Sequence, residues 1–356
     1  MSAPVRWGIL GPGNIARDFL AGAAGSPCGT IAALGARDPA KPGLATDFPG
    51  IRIVSGYQAL IDDPEVEAVY VATPHVLHAQ WAIAAARAGK HVLCEKPMGV
   101  DATEVEAMFA AARAAGTFMG EAFMYRFHPL TARITDLVRS GAIGDVGMIR
   151  SSFGFAANPA VAPRLFDPAL GGGALLDLAG YPVSMTALIA GCATGDALPE
   201  PETLKAIAHY GAAGVDETTA ALLVYPGGIV AELTCSIAVR QENVLHIMGS
   251  TGRLEVDQFW FAGGKTGGVN TIRLIRPDGT REAYPVDEPR HLYGFQFRAA
   301  NRAIRDGQRA FPRPGLNADD SLAVARTVDR WAEEIRRQTS TVTSISRSEA
   351  PPTATP

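Results

Sequence analysis

From residue 4 to about 121 the chain alternates short apolar runs with longer stretches whose apolar residues recur every three or four positions. The short runs, Val5 to Leu10, Thr30 to Gly35, Ile51 to Val54, Ala68 to Ala72, His91 to Cys94 and Phe118 to Gly120, predict strands, and Ile15 to Ala24, Ala79 to Ala88 and Ala102 to Ala115 predict helices between them. Asp101 with Glu104 three residues on is a capping-box-like start for the last of these. Six strands with intervening helices predict an α/β fold, a doubly wound parallel Rossmann sheet over residues 1–122.

Beyond that point the pattern changes. Pro226-Gly227-Gly228 separates two alternating runs, Thr218 to Tyr225 and Ile229 to Ala238, and Asp278-Gly279 separates Thr271 to Arg276 from Arg281 to Val286. Turns of this kind between alternating runs predict hairpins, so residues 123–338 read as an α+β domain with a large, mostly antiparallel open sheet. Helices are expected at Ala174 to Ala190, Tyr293 to Arg305 and Ala318 to Arg336, and the Ser/Thr/Pro-rich stretch 339–356 is expected to be a disordered tail.

Composition narrows the class. The 356 residues, 47% hydrophobic and 19% charged, suffice for two cores and exclude a disordered or fibrous chain. A net charge of -4 gives no footprint for nucleic acid or anionic lipid. Four scattered cysteines, no signal-like N-terminus and no apolar run near the ~20 residues that span a bilayer lead to the expectation of a cytoplasmic protein.

Gly11-Pro12-Gly13-Asn14-Ile15-Ala16 directly follows the first strand and opens the first helix, the context that makes a G-x-G-x-x-G/A turn a dinucleotide site. Gly11 permits the turn, Gly13 admits a pyrophosphate, Ala16 packs closely, and the helix start at Asn14 and Ile15 receives the anion. At the end of the second strand stand Ala36 and Arg37, not an acid, which favours the 2′-phosphate of NADP over NAD; a shift of two residues would instead bring Asp38 to the ribose. Two other glycine-rich segments, 249–252 and 263–268, have no helix after them and read as hairpin turns.

Glu95-Lys96-Pro97 follows the fifth strand, at the sheet edge where ligands of such folds bind, and the Lys96 ammonium suits polarisation of a carbonyl or handling of a hydroxyl proton. With the glycine turn, Thr73-Pro74-His75-Val76-Leu77-His78-Ala79, the run from Ala88 through Cys94 to Pro97, and Glu121-Ala122-Phe123-Met124-Tyr125-Arg126, the chain resembles the glucose-fructose oxidoreductase / inositol dehydrogenase / rhizopine catabolism (Gfo/Idh/MocA) family over nearly its whole length to about residue 338. The resemblance implies NAD(P)-dependent oxidation or reduction of a sugar, polyol or related hydroxyl. Lys96 is then implied to assist proton transfer, and Thr73, Pro74, His75, His78, Glu95 and Pro97 to border the cofactor.

Asp177 and Tyr181 are four residues apart, so on one helix they share a face. Tyr181 stands where inositol dehydrogenase-like members have histidine, which resembles the branch of NADP-dependent D-xylose dehydrogenases, dihydrodiol dehydrogenase and glucose-fructose oxidoreductase. The expected scheme has Tyr181, its pKa lowered by Lys96, taking the hydroxyl proton while Asp177 orients Lys96 or the substrate. Pro182 kinks that helix unless it lies in the first turn. Phe123, Tyr125, Phe155, Arg126 and Arg164 are further candidates for the substrate wall, and the seven histidines show no metal-ligand spacing, so no metal is expected.

The leading expectation is an aldose 1-dehydrogenase of D-xylose type. A trans-dihydrodiol dehydrogenase, a keto-sugar reductase, or a regulator that binds NADP without chemistry are the alternatives. The resemblance also implies a homodimer or homotetramer through the second sheet.

Overall fold

In a computed structural model, residues 3–348 are described. The first sheet contains β1 (Val5–Leu10), β2 (Gly29–Ala36), β3 (Arg52–Ser55), β4 (Ala68–Val71), β5 (His91–Glu95) and β6 (Met119–Ala122), all parallel, in the order β3-β2-β1-β4-β5-β6. The order reverses between β1 and β4, which opens a crevice at their carboxyl ends. Every strand of this sheet falls within a few residues of its sequence prediction, because a strand covered on both faces reads as an uninterrupted apolar run.

The second sheet holds β7 (Val146–Gly154), β8 (Thr203–Tyr210), β9 (Asp216–Tyr225), β10 (Ile229–Ser236), β11 (Leu245–Gly249), β12 (Gly252–Val256), β13 (Gly268–Ile275) and β14 (Arg281–Glu288), ordered β14-β13-β12-β11-β7-β10-β9-β8. Its pairings are antiparallel except for β7 with β10. Helices Pro129–Arg139, Ala174–Leu178 and Gly180–Thr194 share the core of its covered face with Val324 and Trp331 of the last helix. On the opposite face Ile207, Leu222 and Val230 are exposed.

Two expectations are corrected. The last helix is Ala318–Ser348, so it runs ten residues into the stretch expected to be disordered; residues 349–356 lie outside the described residues. The region 174–190 is two helices that meet at Ala179, and Pro182 sits in the first turn of the second, where a missing N–H breaks no helical bond. By length and composition alone the stretch Pro168–Thr194 could cross a bilayer, but 83% of its most apolar window is buried inside the protein, as in the core of a folded domain.

Helix Leu292–Arg305 follows the second sheet in sequence yet packs on the first. Its Phe297, Ala300, Ala303 and Ile304 join Trp7, Phe19 and Tyr70 in one cluster, and the Trp7 indole donates to Asn301 Oδ1 at 3.1 Å. This contact is possible because Gly22 and Gly294 let two helices approach: a Cβ on Gly22 would lie 2.6 Å from Gly294 N and 2.7 Å from the Tyr293 carbonyl carbon. Backbone cannot give way as a side-chain tip does. Gly22→Ala is therefore expected to destabilise the fold by about 1–3 kcal/mol, as overpacking does, and thermal unfolding of the purified variant checks it.

Candidate active site

A cavity of about 750 Å³ opens at the carboxyl ends of β1, β4 and β5 and extends to the second sheet. At its nucleotide end, Gly11 takes a left-handed φ of 100°, and a Cβ there would sit 2.8 Å from Ala72 O. A Cβ on Gly13 would meet nothing within 4 Å, and no side chain caps helix Asn14–Ala23 that begins beside it. The Thr73 hydroxyl is buried at this wall without a partner among the described residues. An open cradle, an uncapped ten-residue helix start and an orphaned hydroxyl together fit a dinucleotide pyrophosphate and its neighbouring ribose.

At the ribose end, β2 stops at the buried Ala36, which leaves Arg37 exposed on the cavity rim with Lys41. The Asp38 carboxylate is turned into its own loop, where Oδ1 accepts from Ala40 N at 3.0 Å. Arg37, Asp38 and Lys41 all line the cavity here, with one oxygen of the Asp38 carboxylate engaged by its own loop.

The chemical end centres on Asp177. Its Oδ1 lies 3.3 Å from Lys96 Nζ, 3.2 Å from Arg164 Nη2 and 3.4 Å from His75 Nε2, and its backbone carbonyl accepts from Lys96 at 2.8 Å. Burial alone would raise this carboxyl, but the Lys96 ammonium, with His75 and Arg164, more than offsets that and holds it well below the usual carboxylate range. Two of the three Lys96 donors are therefore taken by one residue, and the third is available on the cavity side. His75 also contacts Gly171 O at 3.2 Å, and burial lowers its pKa. His78 lies between Thr73 O and Pro97 O, 2.8 Å from each; burial, with His75 close by, pushes its pKa down to about 3 against the raising effect of the two carbonyls. Glu95, buried and bonded by the Tyr70 hydroxyl, is raised by burial to about 7.

Tyr181 departs from expectation. Lys96 Nζ sits over its ring, 5.1 Å from the centroid, and the hydroxyl points to Met124 Sδ at 3.7 Å. Burial, reinforced by Tyr293 and the Glu95 and Asp177 carboxylates, pushes the phenol well above its ordinary value. This direction is opposite to the lowering expected from Lys96, whose ammonium meets the π face of the ring and bonds Asp177.

The cavity brings together Gly11, Gly13, Asn14, Ile15, Arg37, Thr73, Pro74, His75, His78, Glu95, Lys96, Phe155, Arg164, Asp177 and Tyr181 as anticipated. Three candidates belong to the packing instead. Arg126 is buried and donates to Ser184 O at 2.8 Å and Pro314 O at 2.5 Å; the Tyr125 hydroxyl bonds Ser184 Oγ at 2.6 Å; and Phe123 packs edge-on to Tyr181 behind the site. Pro97 also stays off the cavity wall and contributes only its carbonyl to His78. Phe153, Phe261, Tyr293, Asp18 and Lys265 line the cavity without having been anticipated. Nothing in their local patterns marks them: Phe153 alternates within a strand like any core residue, and the others are brought in by tertiary packing. Among the described residues no group of three or more His, Cys, Asp or Glu is arranged to hold a metal.

Residues 5–123 match the model for an oxidoreductase family with an NAD-binding Rossmann fold, Gfo/Idh/MocA, and residues 131–255 match that for the Gfo/Idh/MocA C-terminal domain. The chain is 37% identical over 259 residues to the mouse (Mus musculus) trans-1,2-dihydrobenzene-1,2-diol dehydrogenase, covering 72% of this chain and 75% of that one. It is 32% identical to a D-xylose 1-dehydrogenase (NADP(+)) of Haloferax volcanii, over 91% of this chain and 95% of the relative. Among solved structures, a 3-ketoreductase from Actinomadura kijaniata in complex with NADP and TDP-benzene superposes with a TM-score of 0.80 at 32% identity, over 94% and 97% of the two chains.

Because the Asp177 carboxyl is lowered on folding, its contribution to stability is complete above its unfolded value of 3.8 and fades as pH falls through the folded value. Asp177→Asn is thus expected to be less stable than the parent by a constant margin between pH 5 and 7, a margin that narrows below about pH 3.8. Urea unfolding across that range measures it.

Proposed function

Because the chain belongs to the Gfo/Idh/MocA oxidoreductase family, we propose that it is an NADP-dependent dehydrogenase of ring-borne hydroxyls, with a cyclic trans-1,2-diol as the best-fitting substrate. The observation that carries the diol reading is the composition of the substrate wall. Phe153 packs against Tyr181 at 4.9 Å, Phe261 at 5.7 Å and Phe155 at 6.3 Å between ring centroids, with Val161 and Leu165 beside them. The polar side chains at this end, Lys96, His75, Arg164 and Asp177, form a single knot. One knot suits one or two adjacent hydroxyls on an otherwise apolar ring, whereas an aldose carries hydroxyls all round and wants partners for each. NADP is favoured over NAD by the two cations Arg37 and Lys41 at the rim, while one oxygen of Asp38 is engaged by its own loop.

When bound, NADP supplies the hydride acceptor, or the donor in its reduced form. In this reading the free Lys96 donor hydrogen-bonds the reacting oxygen and moves its proton. Asp177 orients that ammonium, and Arg164 and His75 keep the carboxylate in place. Tyr181, kept protonated by burial, is a hydrogen-bond donor and an aromatic floor under Lys96, in place of the proton-accepting phenolate expected from sequence. An aldose 1-dehydrogenase is the second reading, favoured by the long match to the Haloferax enzyme.

NADPH formation from a trans-cyclohexanediol, a trans-dihydrobenzenediol and D-xylose tests these readings. The diols are expected to give the higher kcat/KM, and Lys96→Met and Tyr181→Phe to lower kcat by roughly 10² or more for Lys96 and less for Tyr181, as loss of a proton-transfer group and of one hydrogen bond do. Preference for D-xylose selects the aldose reading. No turnover with any of them leaves a non-catalytic NADP binder.

The open face of the second sheet supports self-association as a homodimer or homotetramer. Ile207, Leu222 and Val230 are exposed there, and Arg150 pairs with Glu232 at 3.4 Å among them. Leu222→Arg is expected to convert the assembly to monomer in light scattering at micromolar concentration. A parent that is already monomeric contradicts the proposal.

A further inference from the structure

The connection between β12 and β13 carries Gly263-Gly264-Lys265-Thr266-Gly267-Gly268, a segment that no helix follows and that sequence alone assigns to a plain turn. The fold gives it another position. The segment is fastened at both ends, by Gly263 N donating to Asn270 Oδ1 at 2.5 Å and by the close approach of Gly267 to Pro289, where a Cβ would stand 2.8 Å from the proline Cα. Between the fastenings, Lys265 holds a left-handed φ of 75°, a backbone conformation that a lysine rarely adopts. Its side chain projects into the cavity past the rings of Phe261 and Tyr293, with Nζ 5.2 and 6.0 Å from their centroids, and ends on Asp18 Oδ2 at 2.7 Å.

Asp18 lies four residues after Asn14 on helix Asn14–Ala23, so it shares the face of the helix start and stands about 6 Å further along the axis. Both partners and the cradle residues Gly13, Asn14 and Ile15 line the same cavity. The pair is partly exposed, 37% for Lys265 and 26% for Asp18, so it contributes little stability by itself and gives way readily to a stronger partner. A diphosphate at the helix start is such a partner.

We propose that Lys265 is a cofactor-binding residue supplied by the second sheet: Asp18 holds its ammonium at the cleft, and the dinucleotide pyrophosphate takes it over. The proposal rests on the NADP reading above. It assigns Asp18 a competing role, since its carboxylate occupies the lysine that the phosphates would take.

The test is a double-mutant cycle on the full chain, with Kd for NADPH and for NADH read from nucleotide fluorescence and folding checked by thermal unfolding. Lys265→Ala is expected to raise Kd about tenfold for both nucleotides, the loss of one charge-assisted hydrogen bond, because they share the pyrophosphate. Lys265→Arg should restore most of it. Asp18→Asn is expected to tighten binding several-fold in the parent and to have little effect in the Lys265→Ala background. Unchanged Kd in Lys265→Ala overturns the proposal. So does loosening by Asp18→Asn, which makes the pair a strap between the two regions, and so does equal tightening in both backgrounds, which reduces Asp18 to simple repulsion. A parent that binds neither nucleotide overturns the NADP reading as well, whereas a parent that binds both with Lys265→Ala unaffected overturns this inference alone.

Discussion

A buried carboxylate that must stay charged organises this molecule. Asp177 is 7% exposed, and no ionised group survives at that depth without partners. Its partners come from separate stretches of chain: Lys96 from the end of β5, His75 from beyond β4, and Arg164 from the loop ahead of Asp177. Satisfying one charge thus fixes the approach of the second region to the carboxyl edge of the first sheet. The same contacts aim the remaining Lys96 donor at the place where a substrate oxygen would sit. Structure and chemistry draw on one set of distances here, and neither can be altered alone.

The tyrosine is the counterpoint. Lys96 is close enough to act on Tyr181 but meets it through the ring face, and the surrounding carboxylates and phenols disfavour a phenolate. Asp177 and Tyr181 lie not on one helix, as their spacing suggests, but on two helices that meet at Ala179, and both line the cavity. The direction of the hydroxyl was beyond that reading, because the break at Ala179 and the packing of Met124 decide it.

Legibility in the sequence followed the range of the interactions involved. The parallel sheet, its glycine turn and Lys96 were all readable, since each depends on neighbours within a dozen residues: apolar runs, a turn, a strand end. Choice of cofactor hinged on a register of two residues, and in the structure Arg37 and Lys41 stand at the cavity rim while Asp38 shares one oxygen with its own Asx turn. Tyr125 and Arg126 looked functional because polar and aromatic side chains cluster there, yet their partners, Ser184 and Pro314, are 59 and 188 residues away. The aromatic wall was hidden for the opposite reason, since Phe153 and Phe261 have the pattern of ordinary core.

The helix that crosses back onto the first sheet carries an implication for how the protein is made. Trp7 and Asn301 are bonded across 294 residues of chain, and Phe19 and Tyr70 share a cluster with Phe297. Translation therefore delivers all six parallel strands long before the piece that seals them. Until about three hundred residues have emerged, the nascent nucleotide-binding half presents an unsealed aromatic surface around Trp7 and Phe19. Closing that surface is a late event of high contact order, because the sealing helix lies near the end of the chain.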